Sequence, residues 1–475
     1  MDETKYASPF SWRYGRSELR ELFSERERRR LWRAVWVALA RSQERSGLVS
    51  KAEADDIAAH ANEIDIEAAL AIEREIGHDL MAEIRVFASQ AKIGGGKIHL
   101  GATSMDVEDT VETYRMRRAL GLLGESLQGL LGAFAPRIER YASLVCMGYT
   151  HLQPAEPTTV GYRLAVYAQD LLIDEAQLRV AYEALGARGI RGAVGTSASF
   201  ERLLRGSGRR AAEQESDVLE HFDLWARDVS TQTYPRKVDY LVLASLAGLA
   251  ASLSKFAADV RILSSPGFGE MFEPFGKKQV GSSSMPFKRN PVMSERIGSL
   301  ARLLPAYAGT AWQNAATNYL ERTLDDSANR RTILPEAFLC ADEILALARK
   351  IVDGLRLDER RIALNLRTFG PFAGSEAVLM EAVKAGGDRQ ALHESLRDAA
   401  MFAYERLAAG GDNPLAELLA DNEALAKVLD PAEIRALLDP SEHIGDAPER
   451  AQALVRRIKA LAPFPQPRTL TETLG

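Results

Sequence analysis

The sequence predicts an all-α protein organised around a bundle of long helices. Leu120, Leu123, Leu127, Leu130, Leu131, Phe134 and Ile138 form one apolar stripe at helical spacing, and Ile344, Leu345, Leu347, Ile351, Val352 and Leu355 form another. Between them Val238, Leu241, Val242, Leu246, Leu249, Leu253, Phe256, Val260 and Leu263 sustain the pattern long enough for a helix of roughly 39 Å at 1.5 Å per residue. Strand-like alternation is scarce. Several of the long stretches are apolar over more than a narrow stripe. A helix apolar on most sides must be buried on most sides, which predicts association with further subunits.

The 475 residues are enough for two or three domains with a large core. Residues 1–110 read as a mainly helical N-terminal domain: Leu19, Leu22 and Phe23, then Leu31, Val35, Ala38 and Leu39, recur at helical spacing, with polar turns between shorter segments. Residues 111–360 read as the central long-helix bundle. Residues 361–475 read as a smaller helical domain, because Gly386, Gly387, Gly410, Gly411, Pro414 and Pro440 cut the pattern into short pieces. The Pro- and Thr-rich tail from Pro463 to Gly475 predicts poor order.

Bulk properties exclude several classes. Hydrophobic residues make up 46% and charged residues 27%, ordinary for a soluble globular chain. A net charge of −6 argues against general nucleic-acid binding, which needs a basic surface. Two cysteines, Cys146 and Cys340, make no disulfide framework, and the first ten residues have neither the basic nor the apolar region of a secretory signal. A cytoplasmic location is expected. The longest mostly apolar run, Tyr240 to Leu253, is too short to span a bilayer and reads as a buried helix, so no membrane is expected. Gly94, Gly95 and Gly96 precede Lys97, but Ile98 stands where a phosphate loop has Ser or Thr. No metal is expected, since no His, Cys, Asp and Glu share ligand spacing, and no redox cofactor is expected, since no dinucleotide fingerprint occurs.

The chemistry-bearing stretch is Gly281 to Pro291, GSSSMPFKRNP. A Gly/Ser run cannot pack a core, and it can expose successive backbone N–H groups to an anion. Lys288 and Arg289 add positive charge. Left to itself such a run reads as a flexible surface loop, but the long helical patterns on both sides suit a functional loop on a rigid scaffold. Of seven histidines, His60, His221, His393 and His443 read as structural. His78, His99 and His151 sit in polar stretches: GHD, HLGATSMD and THLQPAEPTT. The adjacent Asp325 and Asp326 would point apart, and read as structural groups that orient arginines.

These stretches resemble the three conserved regions of the fumarase/aspartase superfamily, lyases that release fumarate from succinyl-containing substrates. The pattern G-S-S-x-M-P-x-K-x-N is matched at every fixed position. SPFSWRYG (Ser8 to Gly15), QTYPRKVD (Gln232 to Asp239), ERTLDDSANRR (Glu321 to Arg331) and KAGGDRQ (Lys384 to Gln390) narrow the resemblance to its adenylosuccinate lyase family, from Lys5 to about residue 400.

The resemblance implies a three-domain fumarase/aspartase-type fold forming a homotetramer, with each active site shared by three subunits. It implies β-elimination of fumarate from adenylosuccinate, giving AMP, and from the succinylaminoimidazole carboxamide ribotide. It assigns Ser282 as base, with Ser283 as the alternative; His151, preceded by Thr150, as acid; and His78 with Asp79 as its partner at the same end of the substrate. Thr103 and Ser104 would hold a substrate carboxylate, and His99 would lie near the phosphate. Arg13, Tyr14, Arg322, Ser327 and Arg331 would surround the ribose phosphate. Arg296, Gln232, Lys288 and Asn290 would face the succinyl carboxylates. Elimination needs these types, because the carbanion survives only if the neighbouring carboxylate takes up charge among fixed donors and cations. A serine is a poor base unless backbone N–H groups and Lys288 lower the cost of its alkoxide. A histidine titrates near neutral pH, as an acid for the leaving nitrogen should. Two positions depart from the family: Gly77, where many relatives carry a basic residue, and Tyr162, where lysine is common. Both leave room for another superfamily lyase acting on a different succinyl adduct.

Overall fold

In the computed structural model, which describes residues 4–470, a 3-10 turn at Pro9–Ser11 leads into α1 (Ser17–Leu22) and then α2 (Glu25–Glu44), α3 (Lys51–Ala59), α4 (Ile66–Ile76) and α5 (Asp79–Gln90). Next come α6 (Ser104–Arg140), a hairpin of β1 (Val145–Thr150) and β2 (Gln153–Thr159), α7 (Val160–Glu183), α8 (Ala198–Leu203), α9 (Ala211–His221) and α10 (Lys237–Ser264). A short strand, β3 (Met271–Phe272), precedes α11 (Val292–Ala301), α12 (Leu303–Ala316) and α13 (Ser327–Asp353). The chain closes with β4 (Arg356–Leu357), α14 (Glu359–Lys384), α15 (Arg389–Ala408), α16 (Leu415–Ala420), α17 (Pro431–Leu437) and α18 (Ala447–Lys459).

The fold is the all-α bundle of long helices that the apolar stripes predict. The Leu120–Ile138 stripe lies on α6 and the Ile344–Leu355 stripe on and just beyond α13, and every residue of both is buried. They meet α7, α10, α11 and α12 in one apolar core. Around Leu31–Ala40, α2 is buried on all sides, and its core partners include α5, α9 and the first turns of α6. Residues 187–224 therefore leave the bundle and pack on the N-terminal helices. A third core joins α14 to α17.

Two stretches differ from the sequence reading. The run Tyr240–Leu253 is only the middle of α10, whose 28 residues include an 18-residue window of mean hydropathy 1.7, long and apolar enough to cross a membrane by those measures alone. It packs among α7, α11, α12 and α13, with 44% of its most apolar window buried in the protomer, and Leu241 of the expected stripe is exposed. The tail expected to be poorly ordered is packed as far as Leu470; residues 471–475 lie outside the described residues. Phe464 is buried in the bundle core against Gly124, Gln466 Nε2 donates to the Gly121 carbonyl (2.8 Å), and Leu470 N donates to the Tyr114 hydroxyl (3.2 Å). With α18, whose Ala451, Leu454, Val455 and Ile458 join the same core, the C-terminus returns to the bundle instead of staying with α14–α17.

Asp174, on α7 where it faces α10, has one carboxyl oxygen without a partner. Burial, only partly offset by the Ser252 hydroxyl, pushes its carboxyl up to about 6. The folded state thus prefers the neutral acid, so this group's contribution is full below about pH 4 and is lost as pH rises through 6, a loss of about 3 kcal/mol by pH 7.5. Asp174→Asn is expected to raise the free energy of urea unfolding by about 1–3 kcal/mol at pH 7.5 and to flatten its pH dependence between 4 and 7. An unchanged slope would place the titration elsewhere.

Candidate active site

Three helix N-termini converge on one corner of the protomer. His78 caps α5, its Nδ1 accepting the Met81 N–H (3.4 Å), and Asp79 opens the helix. Thr103 caps α6 and Ser104 is its first residue, so both stand at the positive end of a 37-residue helix, where anions bind well. Asp106 fixes this turn by accepting the Thr103 N–H (2.8 Å) and the Arg188 guanidinium. Ser327 opens α13, and Arg331 one turn on donates to Asp79 (2.7 Å). Burial pushes the Asp79 carboxyl up, but Arg331 and Arg28 outweigh it and hold it below its usual range.

His99 adjoins this corner in a left-handed conformation (φ +68°). Trp36 Nε1–H donates to its Nδ1 (3.0 Å), which leaves Nε2 as the protonated nitrogen. Burial, with a smaller contribution from His78, drives its pKa down to about 4, so the ring is neutral at neutral pH. Strained non-glycine backbone clusters at functional sites, and His99 shares this feature with His151 (φ +53°).

A cavity of about 260 Å³ opens between α2, α6 and α13. Arg322, Ser327 and Arg331, which the sequence singled out, meet on its wall with Arg28, Arg115 and Arg330, which it did not. Arg28 lies in the run SERERRR, which reads as a solvated helical face. Asp326 beneath the cavity is buried and accepts Arg236 and Arg322 (2.6 Å each), the orienting role expected of it, whereas Asp325 is exposed and, among the described residues, holds no arginine. The Gln232 N–H donates to the Glu321 carbonyl (3.2 Å), tying that segment to the Arg322 loop.

The Gly/Ser loop spans residues 274–291 between β3 and α11. Its two roots are joined by Glu273, whose carboxylate accepts Met293 N (3.0 Å), Ser294 N (2.9 Å) and Ser294 Oγ (2.8 Å) at the first turn of α11. Higher up, Asn290 Nδ2 donates to the Gly281 carbonyl (2.8 Å), and a Cβ on Gly281 would lie 2.0 Å from the Lys288 carbonyl, so only glycine lets the two limbs close. Ser282 Oγ accepts the Met285 N–H (3.1 Å) and the Ser284 N–H (3.4 Å). Two N–H donors on one hydroxyl oxygen stabilise negative charge there, which a serine base requires. Ser283 and Lys288 are exposed. Glu273→Ala removes three charge-assisted bonds from a buried helix start and is expected to cost about 2–4 kcal/mol. The expected readouts are a lowered unfolding midpoint together with faster protease cleavage in the loop; a lowered midpoint with unchanged cleavage would limit Glu273 to stability.

Thr150 and His151 sit at the tip of the β1–β2 hairpin, which the sequence reading missed. His151 and Leu152 both have positive φ, the two-residue turn that matches strand twist. Arg13 stacks by Trp12 and Tyr14 at 5.7–5.8 Å, and this N-terminal segment docks on α13 through Gly15 N to Glu343 (3.2 Å). Arg296 reaches the same Glu343 at 4.0 Å. Arg13, Tyr14 and Arg296 therefore attach near Glu343, about 24 Å along α13 from Ser327 at 1.5 Å per residue.

One protomer thus gathers His78, Asp79, Arg322, Ser327 and Arg331 at a single corner, with His99, Thr103 and Ser104 alongside. Among the described residues, no hydrogen bond or ion pair links His151 or Ser282 to that corner. Of the two departures, Gly77 occupies the left-handed cap of α4 (φ +67°), a position glycine fills without strain. Tyr162 lies in the first turn of α7, in a cleft shared with Arg450 and Arg457 of α18.

Comparisons with known proteins agree with this architecture. A family model described as "Lyase" matches residues 13–303, and one described as "Adenylosuccinate lyase C-terminus" matches residues 371–454. The chain is 36% identical to an adenylosuccinate lyase of Schizosaccharomyces pombe, over 98% of this chain and 97% of that one. It is 35% identical to one of Archaeoglobus fulgidus, over 94% and 98%. A solved fumarate lyase from Mesorhizobium sp. BNC1 superposes with a TM-score of 0.81 at 24% identity, covering 95% of this chain and 99% of that one. The chain is a lyase and belongs to the adenylosuccinate lyase family of the fumarase/aspartase superfamily.

Proposed function

We propose that this lyase cleaves adenylosuccinate to AMP and fumarate, and the succinylaminoimidazole carboxamide ribotide to its carboxamide ribotide and fumarate. The observation that carries the reading is the arginine-lined cavity at the head of α13. A nucleotide phosphate is a dianion, which guanidinium forks and a hydroxyl at a helix start bind well. A phosphate-free succinyl adduct, the second reading, gives Arg322, Arg331 and Ser327 no ligand.

Ser282 removes a proton from the succinyl Cβ, and the electron pair moves into the adjacent carboxylate as an aci-carboxylate. Lys288, Asn290, Gln232 and Arg296, with Thr103 and Ser104 at the α6 N-terminus, hold the succinyl carboxylates. The pair then returns to form the fumarate double bond, the C–N bond breaks toward nitrogen, and His151 protonates the leaving nitrogen. The loop's anchored roots let its tip close and exclude water.

The working unit is a homotetramer, in which His151, the Ser282 loop and the His78–Thr103 corner come from three subunits. Support comes from Val166, Ile173 and Val180, exposed at seven-residue intervals along α7, beside the part-exposed α10. Light scattering that gave a monomer mass would sink this part. A cytosolic location belongs to the same proposal. The activity is tested by incubating the protein with adenylosuccinate and quantifying AMP and fumarate. Equal amounts support the reading; neither product from a folded tetramer turns the search to phosphate-free succinyl adducts.

A further inference from the structure

The cavity at the head of α13 holds one acidic side chain that stands apart. From α2, Glu25 lies 2.8 Å from Arg28; from α5, Asp79 lies 2.7 Å from Arg331. On α6, Asp109 meets Arg236 at 3.0 Å and Glu112 meets Arg115 at 3.4 Å. The two remaining guanidiniums from α13 and its approach are also engaged, Arg322 with Asp326 and Arg330 with Asp239. Glu108 lines the same cavity and, among the described residues, makes no hydrogen bond or ion pair. Each guanidinium lining the cavity is already paired with another carboxylate.

We propose that Glu108 determines specificity in the substrate's anion pocket: it stands as the neutral acid and donates its O–H to a phosphate-class oxyanion held by the arginines. The inference rests on the reading of this cavity as the phosphate site. Burial, reinforced by repulsion from Asp79 and Asp109, pushes the Glu108 carboxyl up to about 8 against the smaller opposing pull of Arg28 and Arg331. At neutral pH the group carries its proton and adds a donor to the pocket without adding charge. Above that range it ionises and repels a dianion, so binding must be accompanied by proton uptake. A monoanionic ligand gains less from the donor and loses less when Glu108 ionises, so the pocket discriminates by charge as well as by shape.

The test is calorimetric titration of AMP into the full-length protein and its Glu108→Gln variant between pH 7.5 and 9, in two buffers of different protonation enthalpy. A phosphate monoester is already a dianion throughout this range, so its own titration does not intrude. The expected wild-type result is proton uptake on binding and a Kd that weakens roughly tenfold from pH 7.5 to 9. Glu108→Gln, which keeps the shape and a donor, is expected to bind with a flat profile and no uptake. A wild-type Kd independent of pH without proton uptake overturns the proposal, and needs no variant. So does the same slope and uptake in both proteins, which assigns the proton to another group. AMP binding to neither protein at any pH overturns the phosphate reading itself.

Discussion

Replacing Ser282 by alanine is expected to lower kcat about 10²- to 10⁴-fold, the range a positioned general base contributes, with little change in KM. The Oγ lost is the one that accepts two backbone N–H groups within its own loop. Those N–H groups lie in an exposed tip where water replaces the serine oxygen, so the fold should be indifferent to the change. Steady-state fumarate release and circular dichroism on the same preparation separate the two effects. Ser283→Ala is the informative companion. Ser283 is exposed and its hydroxyl accepts no hydrogen bond among the described residues, so nothing in its surroundings stabilises an alkoxide. Full activity in Ser282→Ala with a dead Ser283→Ala would move the base by one residue.

The long helices were legible because a 3.6-residue period sustained over several turns leaves few alternatives, and the residues that the α6 and α13 stripes named are buried. The β1–β2 hairpin was not legible. Its strands carry Pro154, Pro157 and Gly148, and its two-residue turn is His151–Leu152, neither of which marks a turn with positive φ by residue type. The packed C-terminal segment was missed for a related reason. Its anchors are Phe464 in the space left by Gly124 and Gln466 on the Gly121 carbonyl, long-range fits that local composition does not encode. At the site, motif residues were legible from their neighbours in sequence. Arg28 and Glu108 were not, because each lies on a helix whose charged residues read as a solvated face until another helix is packed against it.

The same limit applies to the pair Asp325–Asp326, where adjacent identical residues are expected to behave in opposite ways. Asp326→Ala is expected to destabilise the protein by about 3–5 kcal/mol, the usual cost of removing one partner from a buried ion pair. Arg236 is fully buried and would keep Asp109 as its direct ion-pair partner among the described residues, with its guanidinium still stacked on Tyr234 at 4.5 Å. Burial alone would raise the Asp326 carboxyl, but Arg236, Arg330 and Arg322 prevail and hold it below its ordinary value. Its contribution is therefore present above the unfolded carboxylate range and lost as pH falls below it, so the gap between wild type and Asp326→Ala should narrow toward pH 3. Arg322 would also lose its 2.6 Å tether at the cavity wall, so KM for the nucleotide substrate should rise while kcat is largely kept. Asp325→Ala, one residue away on an exposed surface, should stay within about 0.5 kcal/mol of wild type. Urea unfolding of the two variants at pH 7.5 decides the matter. Equal midpoints would mean that the Asp109–Arg236–Asp326 network does not hold the α13 head in place, and the geometry of the anion cavity would need another source.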